Sequence, residues 1–101
     1  MRMLLHVKIP HETFNAAVRD GTAGTKIQRI LADQKPEPAY FTEYEGCRGG
    51  ILIINLDDPS QVPAFAEPWF LTFNADCNFH IVMTPDDLAK AGLEALGKKW
   101  A

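Results

Sequence analysis

Four consecutive apolar residues, Ile51-Leu52-Ile53-Ile54, constrain the fold of this chain more than any other stretch. Together with their neighbours they predict a strand over residues 50–56. Successive side chains of a strand point to opposite faces of the sheet, so a strand that is apolar almost throughout needs cover on both faces. The sequence therefore predicts a sheet that is not left open to water on either side.

The rest of the 101-residue chain predicts one domain with three more strands and several helices. The expected strands lie at 2–9, 39–45 and 76–83, beside the one at 50–56. The expected helices lie at 11–34, at 59–67 with a short further piece at 69–73, and at 85–99. Asp58 and Thr84, each followed by a proline, are typical helix N-caps.

Three breaks in these patterns need an interpretation. The segment Gly21-Thr22-Ala23-Gly24 has a low helix propensity, and we interpret it as close packing of one continuous helix on the sheet, with a break in the helix as the alternative. Residues 46–50 are glycine-rich and predict a hairpin turn. Glu67-Pro68 is expected to end or kink its helix. The last helix is expected to pack Leu88, Ala91, Ala95 and Leu96 inward, and Trp100 to dock on a neighbour.

The resulting order of elements predicts the fold class. It is α+β, a ferredoxin-like βαββαβ plan with an extra C-terminal helix and a four-stranded antiparallel sheet in the order 4-1-3-2. Both main helices then cover one face of the sheet. The other face would expose the apolar side chains of strand 3, and a second copy of the chain is the economical cover. We therefore expect a homodimer through the sheet faces, a dimeric α/β barrel.

The first strand carries the most distinctive polar residues. Met3, Leu5, Val7 and Ile9 form a plain apolar face, whereas Leu4, His6 and Lys8 point to the other side. In the expected sheet, strand 1 lies next to strand 4, where His80 belongs to a similar mixed face. His6 and His80 are therefore expected to approach each other on the dimer-facing side.

These side chains suggest a small-molecule site. Asn55 on strand 3, and Tyr44 or Glu43 on strand 2, are expected to line the same space. Imidazoles titrate near neutral pH, so such a pocket can bind an anion or move a proton. We take His6 and His80 as candidate catalytic residues and Lys8, Asn55 and Tyr44 as candidate substrate-binding residues. The competing interpretation is that each is a half-buried, hydrogen-bonded structural residue.

Composition argues against several other classes. The net charge is −3 and the ten basic residues are scattered, which is not typical of nucleic-acid binding. No apolar run is long enough for a membrane span, and we expect no signal peptide. The two cysteines lack CxxC spacing, which predicts reduced thiols in a cytoplasmic protein. No metal-ligand cluster or GxSxG motif is present, so we expect no cofactor.

The strand Met3-Leu4-Leu5-His6-Val7-Lys8-Ile9 resembles the opening strand of muconolactone isomerases, which are small oligomeric enzymes. The run from Leu56 through Pro68-Trp69-Phe70 to Asp76 resembles the same family more loosely. The resemblance implies a ferredoxin-like fold, a dimer through the sheets, and His6 and Lys8 as site residues. The stretches 21–24, 47–50 and 85–100 depart from the isomerase pattern.

Three functions compete at this point. The leading one is a cofactor-independent isomerase acting on a small acidic molecule, with His6 as acid or base, Lys8 binding a carboxylate and His80 assisting. The second is a non-catalytic ligand-binding or stress-response barrel. The third is a haem-handling or oxygen-using barrel of the monooxygenase type, with His6 or His80 as the iron ligand.

Overall fold

The computed structural model describes all 101 residues of the chain. Its elements follow in chain order: β1 Arg2–Ile9, α1 His11–Asp20, α2 Ala23–Gln34, β2 Ala39–Tyr44, β3 Cys47–Asn55, a 3-10 turn Pro59–Gln61, α3 Val62–Phe73, β4 Asp76–Ile81, α4 Pro85–Lys90 and α5 Leu93–Lys99.

The four strands form one sheet in the order β2-β3-β1-β4, and each neighbouring pair is antiparallel. This confirms the predicted α+β class and the predicted order 4-1-3-2. In the register, Leu5 at the centre of β1 lies opposite Leu52 of β3 and Phe79 of β4. The central strand therefore fixes which residues of its two neighbours share its faces.

The core lies between one face of the sheet and the helices. Met3, Leu5, Val7 and Ile9 of β1 are all buried there, as predicted from their alternation. Trp69 and Phe73 of α3 are fully buried against them, with their ring centroids 6.2 Å apart. The buried amide of Gln34 accepts a hydrogen bond from Trp69 Nε1 at 3.2 Å and donates one to the Phe65 carbonyl at 2.8 Å. Those two bonds satisfy the one polar side chain of the core.

The predicted helix 11–34 is in fact two helices, so the alternative of a break is correct and the interpretation as close packing is wrong. Gly21 has φ +82° and ends α1 in the left-handed conformation. Its N–H and that of Thr22 donate to the last carbonyls of the helix, at Val18 and Ala17. A Cβ built at Gly21 or Gly24 would meet nothing within 4 Å. Gly21 is therefore a helix-ending residue.

The hairpin between β2 and β3 is tighter than the glycine-rich stretch predicts. Tyr44 pairs with Cys47, which leaves only Glu45 and Gly46 in the turn. Both have positive φ, +52° and +80°, as a two-residue type I′ turn requires. Strand β3 consequently begins at Cys47, three residues earlier than predicted.

The predicted cap of Asp58 is confirmed, because its side chain accepts from Ser60 N and Gln61 reaches back to complete a capping box. The expectation of separate helical pieces around Pro68 is wrong, since α3 continues through this proline. Burial of Ala66 and Trp69 on either side of Pro68 supports the helix there.

The last predicted helix is also two helices, because Gly92 has φ +71° between α4 and α5. All residues from Pro85 to Ala101 are exposed, so the predicted inward packing of Leu88, Ala91, Ala95 and Leu96 does not occur within the chain. The radius of gyration is 17.0 Å, against about 13 Å for a compact chain of this length. Residues 84–101 form a projecting arm.

No helix in this chain has the length and apolar character required to cross a bilayer.

Candidate functional site

The sheet face opposite the helices has no cover within the chain, and we call it the open face. The strand registers place a defined set of side chains on it. They are Tyr40, Thr42 and Tyr44 of β2, Cys47, Gly49, Ile51, Ile53 and Asn55 of β3, Arg2, Leu4, His6 and Lys8 of β1, and Asp76, Asn78 and His80 of β4.

His6 lies at the centre of the open face, opposite Ile51 on one side and Asn78 on the other. Its Nε2 atom is buried and has no hydrogen-bond partner. The imidazole packs against the ring of Tyr44, with centroids 4.1 Å apart and planes inclined by 58°. An imidazole nitrogen that is shielded from water and unpaired is unusual, because buried polar atoms are generally hydrogen-bonded.

Gly49 makes the contact between His6 and Tyr44 possible. In the registers, His6 pairs with Ile51 and Tyr44 with Cys47, so the two rings meet diagonally across β3 at the level of Gly49. A Cβ on Gly49 would lie 2.8 Å from the Val7 carbonyl oxygen and 3.4 Å from Tyr44 Cβ. The missing side chain therefore leaves the space that the tyrosine occupies.

We expect Gly49→Ala to lower the free energy of unfolding by about 1–3 kcal/mol, because the new Cβ forces the β1–β3 backbones apart. Gly24→Ala is the matched control. It adds the same methyl group on α2, where nothing lies within 4 Å, and should raise stability by about 0.5–1 kcal/mol. Urea unfolding of both variants measures the difference, and equal stabilities would contradict the close approach at Gly49.

Lys8 lies beside the two rings on the same face. Its Nζ is 5.8 Å from the centroid of the Tyr44 ring and 3.7 Å from Glu45 Oε1. The lysine side chain is 30% exposed and that of Glu45 is 64% exposed. The carboxylate of Glu45 is thus a solvated partner, which an incoming anion can replace at small cost.

His80 lies on the open face but is not the residue directly opposite His6 in the β1–β4 register. It pairs with Leu4, so it is a diagonal neighbour of His6, and such residues lie roughly 7–8 Å apart. The side chain is exposed. A ligand of a few carbon atoms can touch both imidazoles from above the sheet.

The structure places Asn55 and Glu43 away from this group. Asn55 pairs with Arg2 at the far end of the face, and its Nδ2 donates to Glu37 Oε1 at 2.6 Å. That bond and the one from Arg2 hold the pKa of Glu37 below its usual value. Glu43 pairs with Arg48 on the opposite face, and its carboxylate accepts from the Gly46 N–H at 2.9 Å. Both residues have structural partners in this chain.

Sequence reasoning missed Gly49, Glu45 and Asn78 as parts of the site. Asn78 lies directly opposite His6, and the alternation of strand 4 could have given that pairing once its register was known. The pair Gly49-Gly50 predicts only a turn on composition, although a buried glycine in a strand is itself a sign of a close approach.

The two cysteines are free and both are half-buried, but they lie on opposite faces of the sheet. Cys77 points to the helix side, where burial and then the neighbouring Asp76 raise the pKa of its thiol to about 12. Because the thiolate is the reactive form, we expect iodoacetamide at pH 8 to modify Cys47 well before Cys77. Peptide mass spectrometry over a time course measures the two rates, and faster modification of Cys77 would contradict its burial.

Neither of the two cavities of the single chain includes a residue of the open face. The larger, about 850 Å³, is a groove between α2 and α3 on the other side of the molecule. No three His, Cys, Asp or Glu side chains are grouped so that they could hold a metal ion. The open face is therefore a surface in one chain, and any pocket there needs a second wall.

No protein-family model matches this chain, and no curated protein matches it either.

Proposed function

We propose that two copies of this chain close their open faces on each other, and that the enclosed space is the active site of a cofactor-independent isomerase for a small organic acid. The observation that carries the proposal is the buried, unpaired Nε2 of His6 on an uncovered sheet face. The cost of leaving that nitrogen unpaired is removed when the imidazole turns toward the enclosed space and a ligand supplies its partner.

The chemistry follows from the groups that surround His6. A neutral imidazole can take a proton from a substrate carbon next to a carbonyl group and return a proton at a second carbon. The double bond of the substrate thereby moves to a new position. Lys8 is the nearest cation and binds the carboxylate of the substrate. His80 lies on the same face on β4, and we assign to it a hydrogen bond to the developing enolate oxygen.

Tyr44 has a positioning role in this scheme. Its ring packs on the imidazole, and the Lys8 ammonium lies 5.8 Å from the centroid of the same ring. Three groups of different chemistry are thereby held on rigid strands within one short stretch of sheet, as an active site requires.

Two further features support the proposal. The resemblance of strand Met3–Ile9 to muconolactone isomerases points to the same two residues, His6 and Lys8. The free state of both cysteines fits the cytoplasmic location that we propose.

Proton exchange in D2O tests the proposed activity even though the substrate has not been identified. Small unsaturated carboxylates and their lactones are incubated with the chain, and 1H NMR follows the loss of signals next to the carbonyl group. We expect deuterium incorporation or a shifted double bond for at least one compound. Binding detected by thermal stabilisation with no exchange in any bound compound would instead indicate a non-catalytic binding protein.

A further inference from the structure

The arm of residues 84–101 has an apolar side that nothing in its own chain covers. Leu93, Leu96 and Trp100 follow the spacing that places side chains on one side of a helix. They are 58%, 44% and 77% exposed, and Leu88 of α4 is 44% exposed. Apolar residues grouped in this way mark an association surface.

A second unpaired apolar surface lies at the opposite edge of the sheet. Strand β2 is an edge strand, and its Tyr40 and Phe41 are 66% and 49% exposed. Tyr40 belongs to the open face, and Phe41, the next residue, points to the helix side but lies outside the helices. An exposed edge strand with aromatic side chains on both faces requires cover to avoid uncontrolled association.

In a face-to-face dimer whose two-fold axis runs parallel to the strands, the topology brings these two surfaces together. Strand β4 is antiparallel to β1. Strand β2 runs in the same direction as β1, because both are antiparallel to β3, which lies between them. The last residues of β4 and the first residues of β2 therefore lie at the same end of the sheet. A two-fold axis parallel to the strands places the β4 edge of one chain opposite the β2 edge of the other.

We propose that the arm is exchanged between the two chains of the dimer, and that α4 and α5 pack on the partner copy over Tyr40 and Phe41. The inference rests on the face-to-face dimer of the proposed function and adds a second contact between the two chains, at the edges of the sheets. The arm leaves the sheet directly after β4. Its proposed docking surface on the partner includes Tyr40, which belongs to the open face, so the two surfaces are continuous.

Charge is compatible with this exchange. The arm carries three acidic residues and three basic ones: Asp86, Asp87, Glu94, Lys90, Lys98 and Lys99. Its net charge is therefore zero, and it approaches a chain of net charge −3 without repulsion. A second copy is the partner that supplies both apolar surfaces at equal concentration.

Disulfide trapping between two different chains tests the exchange. One chain carries Leu96→Cys and a differently tagged chain carries Phe41→Cys, the two are co-expressed, and the complex is mildly oxidised. Because the two new thiols are on separate chains, only contact in trans can link them. We expect a covalent heterodimer whose linked peptides contain positions 96 and 41.

The control pairs Leu96→Cys with Glu12→Cys. Glu12 is exposed at the start of α1, which follows the other end of β1, so no link is expected there. The native chain, oxidised in the same way, gives the background from Cys47 and Cys77. Linkage at position 41 no stronger than at position 12 would overturn the exchange.

Sedimentation of the full chain provides a second readout. Leu96→Ser should raise the dimer dissociation constant at least tenfold, whereas Lys90→Ser, on the same arm, should leave it unchanged. If the native chain is a dimer, equal dissociation constants for Leu96→Ser and Lys90→Ser would overturn the arm exchange and leave the face-to-face dimer in place. A monomeric native chain would overturn both the arm exchange and the face-to-face dimer, and with the dimer the enclosed active site of the proposed function.

Discussion

Replacing Trp69 with alanine is expected to lower the free energy of unfolding by about 3–5 kcal/mol. Trp69 is fully buried, packs on Phe73, and joins α3 to α2 through its hydrogen bond to Gln34. The substitution opens a cavity. It also leaves the side-chain oxygen Oε1 of Gln34 without its partner, which adds a desolvation cost. The whole stability of a domain is about 5–15 kcal/mol, so the loss is a large share of it.

Urea unfolding followed by circular dichroism measures this loss. Leu71→Ala is the matched control on the same helix, since Leu71 is 82% exposed and its truncation should change stability by less than about 0.5 kcal/mol. Trp69→Phe, which keeps most of the volume, should fall between the two. A Trp69→Ala chain as stable as Leu71→Ala would show that α3 does not seal the core as described.

His6→Gln is expected to reduce turnover of a substrate found by proton exchange by about 10²–10⁴-fold. Glutamine keeps a polar side chain on the open face but cannot accept and return a proton at neutral pH. The loss should appear in kcat rather than in KM, because Lys8 still binds the carboxylate.

The control is His11→Gln, which changes an exposed histidine at the start of α1. We expect native kinetics from it, and near-native thermal unfolding from both variants. If His6→Gln turned over the substrate as fast as His11→Gln, His6 would not be the proton-transfer group and the role proposed for it would be lost.

The sheet could be predicted from the sequence because period-2 alternation is a strong signal where one face is buried. Met3, Leu5, Val7 and Ile9 set the faces of β1, and the order of the elements, taken as a ferredoxin-like plan, then predicted the strand order. The same alternation placed His6, Lys8 and His80 on one face and left Tyr44 and Glu43 as alternatives on the second strand. Asn55 also follows the alternation, but its pairing with Glu37 depends on how residues 35–38 pass β3, which periodicity does not encode.

The helices were harder because two of their breaks depend on single glycines. Gly21 and Gly92 take positive φ and end helices, whereas Gly24 and Gly97 lie within helices, and propensity treats all four alike. The expected inward packing of the C-terminal helix assumed that the helix packs on a surface of its own chain. Helical spacing identifies an apolar side but does not say which molecule covers it.

Sedimentation equilibrium measures whether the open face around His6 is an interface between two copies of this chain, as we propose. Ile53→Arg places a charge on the open face opposite Leu4, and Leu71→Arg places the same charge on the exposed outer surface of α3. We predict the mass of two chains, or an even multiple of it, for the native protein and for Leu71→Arg, and the mass of one chain for Ile53→Arg. A monomeric native protein, or an Ile53→Arg variant that associates like the native protein, would contradict the claim.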